Sequence, residues 1–191
     1  MNARTFIRNT GIGLIALAFA GAGMAISANA EIPVAAPQQV TRANDEALLS
    51  KQVRRQLVML PWTGVFDNLE YKMDGSQVVL MGQVVNPWTK SDAENSVKSI
   101  RGITQVVNKI QVLPLSMFDN QIRWAEYRAI FSNTSLSRYA MGVNPSIRII
   151  VDNGHVTLVG YVDSKMDRQI AGIRAGAVPG VFSVTNDLRL S

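Results

Sequence analysis

Two stretches of the chain carry the same pattern of apolar positions. Leu69, Tyr71 and Met73 recur at every second position, and so do Ile147, Ile149 and Val151. A period of two predicts a half-buried β-strand. Asp74-Gly75 follows the first run and Asp152-Asn153-Gly154 the second, and these residue types accept positive φ in tight hairpin turns. A second alternating run comes next: Val78, Leu80, Gly82 and Val84, matched by Val156, Leu158, Gly160 and Val162. A glycine inside a strand marks a bulge or a close approach of another backbone, so Gly82 and Gly160 are read as structural.

The period then lengthens. Asn86-Pro87 and Ser164 suit a helix start, and helices are predicted over about 88–100 and 165–178, closed by Gly102 and Gly180. Their inward faces hold Ala93, Val97 and Ile100 in one case and Ala171, Ala175 and Val178 in the other. A last strand over 104–112 or 182–190 completes each set. A strand, a crossover helix and a further strand in one sheet imply a parallel pair with a right-handed connection. The hairpin adds an antiparallel strand, which makes each sheet mixed.

The two sets superimpose without a gap on a shift of 78 residues, 69–112 onto 147–190, with nine identities. Besides Gly82/Gly160 and Gly102/Gly180, the pairs include Asp74/Asp152, Ala93/Ala171, Val106/Val184 and Asn108/Asn186. The chain is a duplication. A further helix is predicted ahead of each sheet. Asp45 is positioned to cap one carrying Leu49, Val53 and Leu57, ending before Pro61; Asp119 is positioned to cap one carrying Ile122, Trp124, Tyr127, Ile130 and Phe131. Placing Asp45 on Asp119 requires a shift of 74, which puts Tyr127 and Phe131 where Val53 and Leu57 stand. The fold class is therefore α+β: two tandem αββαβ repeats of about 70 residues, each a three-stranded mixed sheet on two helices. The first spans 44–113 and the second 119–191, joined by 114–118. A core of that size supports only ~3–5 kcal/mol, so the copies are expected to dock.

The N-terminus is of another kind. Arg4 and Arg8 precede an uncharged apolar run from Thr10 to Ile26, and Ala28-Asn29-Ala30 ends it with small residues. This describes a secretory signal peptide over 1–30 cleaved after Ala30; the apolar run is shorter than the ~20 residues of a membrane span. Pro33, Pro37, Gln38 and Gln39 then read as a flexible leader over 31–43. Loss of Arg4 and Arg8 leaves 17 basic residues of 19 against 14 acidic ones, so the net charge falls from +5 to +3. Only Arg54-Arg55 are then adjacent. Without a basic stripe, and for an exported chain, no nucleic-acid partner is expected.

Candidate chemistry is sparse. With no cysteine there is no disulfide, thiolate site or lipid-modified anchor residue. The sole histidine, His155, has no acid or nucleophile partner in its pattern, and Asp163 and Asp167 are read as favourable carboxylates at a helix start. No catalytic residue, metal site or cofactor is assigned. The aromatic and basic residues point elsewhere. Arg123, Trp124 and Arg128 on one helix combine an amphipathic ring with two guanidiniums, a combination suited to a lipid interface. Trp88 with Lys90, and Lys165 with Met166 and Arg168, place an apolar side chain beside cations at matching helix starts. The structural alternative for these residues is solvated first-turn positions, with Trp88 packed over an edge.

The run Val156-Thr157-Leu158-Val159-Gly160-Tyr161-Val162 with Pro179-Gly180-Val181-x-x-Val184-x-Asn186, and its fainter copy from Val78 to Asn108, resembles the BON domain. The resemblance covers about 44–191. Paired copies behind a signal peptide are similar to the osmotically inducible periplasmic family and its outer-membrane lipoprotein relatives. It implies an αββαβ fold and a noncatalytic periplasmic role in envelope maintenance or osmotic stress, with peripheral attachment to the phospholipid membrane surface. A chaperone-like or protein-interaction module for envelope proteins is the alternative partner reading.

Overall fold

The computed structural model describes residues 37–142 and 144–191. The expected signal peptide, its cleavage point after Ala30 and the leader up to residue 36 lie outside the described residues. The first copy runs α1 (Pro37–Val58), β1 (Asn68–Asp74), β2 (Gln77–Val84), α2 (Pro87–Lys98), β3 (Gln105–Asn108) and β4 (Gln111–Val112). The second runs α3 (Met117–Phe131), a 3-10 turn (Ser137–Ala140), β5 (Ile147–Asp152), β6 (His155–Val162), α4 (Lys165–Gly176) and β7 (Ser183–Leu190). β1 lies antiparallel to β2, and β3 and β4 follow one another along its other edge in parallel. β5, β6 and β7 repeat this plan with an uninterrupted last strand. Each sheet is mixed, with the second hairpin strand at its centre, as the sequence pattern requires.

The repeated residues have specific jobs. Asn153 (φ 51°) and Gly154 (φ 78°) form a hairpin turn with both central residues left-handed. Gly82 (φ 109°) and Gly160 (φ 124°) sit where a Cβ would fall 2.0 Å from the Asn68 carbonyl oxygen and 1.9 Å from that of Ser146. No side chain fits there. Asn108 donates from Nδ2 to the Lys90 carbonyl (2.9 Å) and accepts from the Ile110 amide (3.1 Å). Asn186 does the same with Arg168 (2.7 Å) and Leu188 (3.3 Å). One side chain per copy thus ties the crossover helix to the last strand.

Asn86 caps α2 by accepting from the Trp88 amide, and Ser164 caps α4 by accepting from that of Asp167. The other two helix starts differ from the sequence expectation. α1 begins at Pro37, well ahead of Asp45, so the expected leader is helical from that residue onward. A proline at the first helical position followed by Gln and Ala residues favours this start. α3 is capped by Ser116, whose Oγ accepts from the Asp119 amide (3.1 Å). Asp119 instead is buried and accepts from the amides of Asn153 (3.1 Å) and Gly154 (2.8 Å), clamping the β5–β6 turn.

Each copy has its own core. Val53, Leu57, Val78, Leu80, Val84, Ala93 and Val97 fill the first; Ile122, Ile130, Ile147, Ile149, Val156, Leu158, Ala171 and Ala175 lead the second. The copies also dock, through the loop between α1 and β1. Val65 from this loop joins the core of the second copy. Its carbonyl accepts from the Ile149 amide (2.8 Å), and the Gly64 carbonyl accepts from Arg148 Nη1 (2.6 Å). Phe66 meets Trp124 edge to face, 5.2 Å between centroids. The loop is held in shape by Asp67, which accepts from the amides of Gly64 (2.9 Å) and Val85 (2.8 Å).

Gly160→Ala is expected to destabilise the second copy by at least ~2 kcal/mol, because the strained φ and a backbone clash combine. Urea unfolding checks this; a midpoint equal to that of the natural chain would contradict the close-approach reading.

Candidate functional site

α3 carries most of the residues singled out from sequence, and it orients them in different directions. Ile122, Glu126 and Ile130 form its buried stripe. Gly180 lies against Phe118 and Ile122 as Gly102 lies against Leu49, and the buried positions Val53 and Leu57 of α1 have their counterparts in the buried Glu126 and Ile130 of α3. The helices therefore match on a shift of 73, one residue from the expected 74, and Glu126 stands where the first copy has Val53. One residue turns a helix by about 100°. Tyr127 consequently sits at the margin of the core rather than in place of Val53, although Phe131 is buried.

Arg123 is the main correction. Expected on the outer face, it is buried, with Nη2 donating to the Val151 carbonyl (2.7 Å) and Nη1 to Asn120 Oδ1 (2.6 Å). Burial depresses its pKa, against the opposing pull of Asp119, Asp67 and Asp152. It is a bracket between α3 and β5. Trp124, one position on, is 55% exposed, with its ring against Phe66 and Tyr127. Arg128 is exposed one turn further along. With Arg174 of α4 it borders a shallow groove of about 320 Å³ floored by Ala125, Ala129, Ala177 and Val178. Arg174 was not singled out in the sequence, where it is simply a polar position on the outer side of its helix.

The crossover-helix starts are also open to solvent. Trp88 is 71% and Met166 63% exposed. Lys165 and Arg168 are exposed and Lys90 partly so. Arg168 also donates to the Asn186 carbonyl (3.0 Å), which fixes its direction beside β7. The packing of Trp88 over an edge is thus not what the chain adopts.

The polar clusters are structural. Asp167 is buried and accepts from Ser164 Oγ (2.7 Å), Tyr139 Oη (2.9 Å) and Arg138 Nη2 (2.9 Å). The Ser164 hydrogen bond leads the effects that lower its pKa. Asp163 pairs with the same guanidinium at 3.2 Å, so both carboxylates bind the 3-10 turn to α4. His155 shares a hydrogen bond with Ser183 Oγ (2.7 Å) on the surface. Among the described residues no three His, Asp or Glu side chains gather in a way that would hold a metal ion.

Sequence reasoning passed over Glu126. It is fully buried, neither carboxylate oxygen has a hydrogen-bond partner among the described residues, and burial pushes its pKa up to about 8. The register shared with Val53 is the signal that marks it, because it puts a carboxyl in a core column.

The BON domain family matches residues 45–114 and 135–191. The chain belongs to the BON domain family. The first matched segment spans the first copy from within α1, the second begins after α3 and spans the ββαβ part of the second copy, and BON domains are noncatalytic, periplasmic or membrane-associated binding modules. Among the described residues no helix is long and apolar enough to cross a membrane. No curated protein matches the chain in sequence. Among solved structures it is similar to CdsD, a structural protein of the type III secretion system of Chlamydia trachomatis, at 12% identity. That match covers 75% of this chain and 92% of the other, with a TM-score of 0.29. A second structure, the C-terminal domain of CdsD, matches at 11% identity over 75% of this chain and 97% of the other, with a TM-score of 0.27. These scores are too low to carry an argument.

Glu126 makes the stability of the second BON copy pH-dependent. Its folded pKa lies above the ordinary value of 4.5, so the native state holds a proton that the unfolded chain releases. Stability is full below about pH 4.5 and falls as pH rises to about 8, by roughly 1.4 kcal/mol per unit. Glu126→Gln is expected to flatten this slope and raise stability at pH 7 by up to about 3 kcal/mol. Denaturation midpoints from pH 4 to 9 provide the check; parallel profiles for both chains would refute it.

Proposed function

We propose that this BON protein is a noncatalytic exported module that associates peripherally with anionic phospholipid in the periplasm, serving envelope maintenance or osmotic stress. The observation that carries the reading is the outer side of α3, where a half-exposed Trp124 is followed one turn later by the exposed Arg128. An indole seated against Phe66 and Tyr127 presents a rigid amphipathic edge, the type of group that settles at the headgroup boundary. Arg128 and Arg174 on either side of an Ala-floored groove supply two fork-shaped donors for phosphate. Trp88 with Lys90, and Met166 with Lys165 and Arg168, offer the same pairing of apolar and cationic groups at matching points of the duplication. Arg123, being buried, has no part in it.

One observation favours a second reading, a protein-interaction or chaperone-like module. Among the described residues β1 pairs with β2 alone. Asn68 to Tyr71 form one wall of a groove of about 790 Å³, whose opposite wall is Val159–Tyr161 and Asp187–Arg189. An unpaired strand edge accepts an extended segment of another chain by main-chain hydrogen bonding.

The test uses the chain lacking the expected signal peptide, mixed with phosphatidylglycerol-containing vesicles. It should co-sediment at low salt and be released at high salt. Trp124→Ala combined with Arg128→Ala should weaken binding by roughly tenfold or more, given about 1 kcal/mol per cation at an anionic surface. Absence of sedimentation at low salt overturns the lipid reading, and suppressed aggregation of an unfolded client in that case supports the second.

A further inference from the structure

The exposed side of α1 and the tip that follows it have no role in the fold. On the core side of α1 lie Leu49, Val53 and Leu57. The opposite side, at spacings of three, seven, ten and eleven residues, carries Leu48, Lys51, Arg55, Val58 and Met59, with Arg54 on its flank. All are exposed, Met59 to 66%. At about 100° per residue these positions share one face. Glu46 points to the core side and Asp45 borders the face one turn ahead of Leu48. Among the described residues none of the three cations takes part in an ion pair.

The helix ends at Val58, and four residues later Trp62 stands 80% exposed in the left-handed region, at φ 69°. A bulky residue at positive φ is an outlier that persists only where its surroundings enforce it. Here they do so from both sides. Thr63 Oγ1 donates to the Leu60 carbonyl (3.1 Å), and the Gly64 amide donates to Asp67 (2.9 Å). The same loop inserts Val65 into the second core and sets Phe66 edge to face with Trp124. A loop held by these hydrogen bonds therefore projects an indole into solvent, next to an apolar helix tail and three cations outside the ion pairs of the described residues.

We infer that α1 and Trp62 form a second bilayer-docking surface, selective for anionic phospholipid and separate from the outer side of α3. The occupant is an anionic bilayer rather than a protein groove because Met59 and Trp62 protrude into solvent beside Lys51, Arg54 and Arg55. Lys51, Arg54 and Arg55 meet phosphates while Met59 and Trp62 enter the headgroup layer, the arrangement of an interfacial amphipathic helix. The inference rests on the lipid reading above but assigns different residues.

Two measurements test it. In the first, Trp62→Asn removes the ring while keeping a residue that tolerates positive φ. A separate variant carries Lys51→Gln, Arg54→Gln and Arg55→Gln. With phosphatidylglycerol vesicles each should bind about tenfold more weakly than the natural chain or worse, at an unchanged melting temperature, since each cation contributes roughly a fivefold factor. In the second, Trp88→Phe with Trp124→Phe leaves Trp62 as the only indole. Its emission should shift to the blue on phosphatidylglycerol vesicles and stay unchanged on phosphatidylcholine. Natural binding strength in the Trp62→Asn chain, or no shift from Trp62 while the natural chain sediments, overturns the inference and leaves the α3 reading standing. Loss of binding in these variants with none in the Trp124 and Arg128 variant supports the inference and overturns the α3 reading. A blue shift of equal size with soluble polyglutamate overturns it in favour of an acidic protein partner, and a natural chain that binds no vesicle overturns both.

Discussion

The Val65 carbonyl accepting from the Ile149 amide binds the α1–β1 loop to the outer edge of β5, and the seat of Trp124 and the loop that presents Trp62 follow from it. β5 lies at the edge of its sheet, where unpaired backbone groups invite foreign strands. The α1–β1 loop occupies part of that edge. In doing so it adds Val65 to a core that a 70-residue repeat fills only marginally. The two BON copies consequently form one body. Trp124 gains a seat on Phe66, and the loop that supplies Phe66 also presents Trp62.

Within each copy a few repeated residues do what no substitute does. Gly82 and Gly160 let a neighbouring carbonyl oxygen come to where a Cβ would be. Asn108 and Asn186 satisfy a helix carbonyl and a strand amide with one side chain. The copies diverge where the second has acquired charge. Asp119 clamps a turn, Arg123 brackets a strand carbonyl, and Glu126 occupies an apolar column without a partner. Asp119 is satisfied by two backbone amides, and Arg123 by one backbone carbonyl and Asn120 while its Nε has no partner among the described residues. Glu126 has none, so at neutral pH the second copy bears the cost of holding a proton on a buried carboxyl, which the first, with Val53, avoids.

The candidate site was legible in sequence only in part. Trp88, Met166 and Lys165 stand exposed at helix starts that the sequence marks, because a cap residue fixes where each helix begins. α3 was harder. A register of 73 instead of 74 sets Glu126 rather than Tyr127 against Val53 and brings its carboxyl into the core stripe, while Arg123 is buried by its hydrogen bond to the Val151 carbonyl of β5. Arg123 resembles any solvent-facing arginine in the chain. Only the β5 carbonyl it meets distinguishes it.

The sequence by itself determined the duplication, the αββαβ order, the mixed sheets and the positions where glycine is obligatory. These follow from local periodicity and from φ preferences, which act over a few residues. Tertiary structure alone decided how the copies dock, which side of α3 faces water, and that Trp62 protrudes from a strained loop. Each of those depends on contacts between residues far apart in the chain, such as Gly64 with Arg148 and Phe66 with Trp124. No periodicity encodes a contact of that kind.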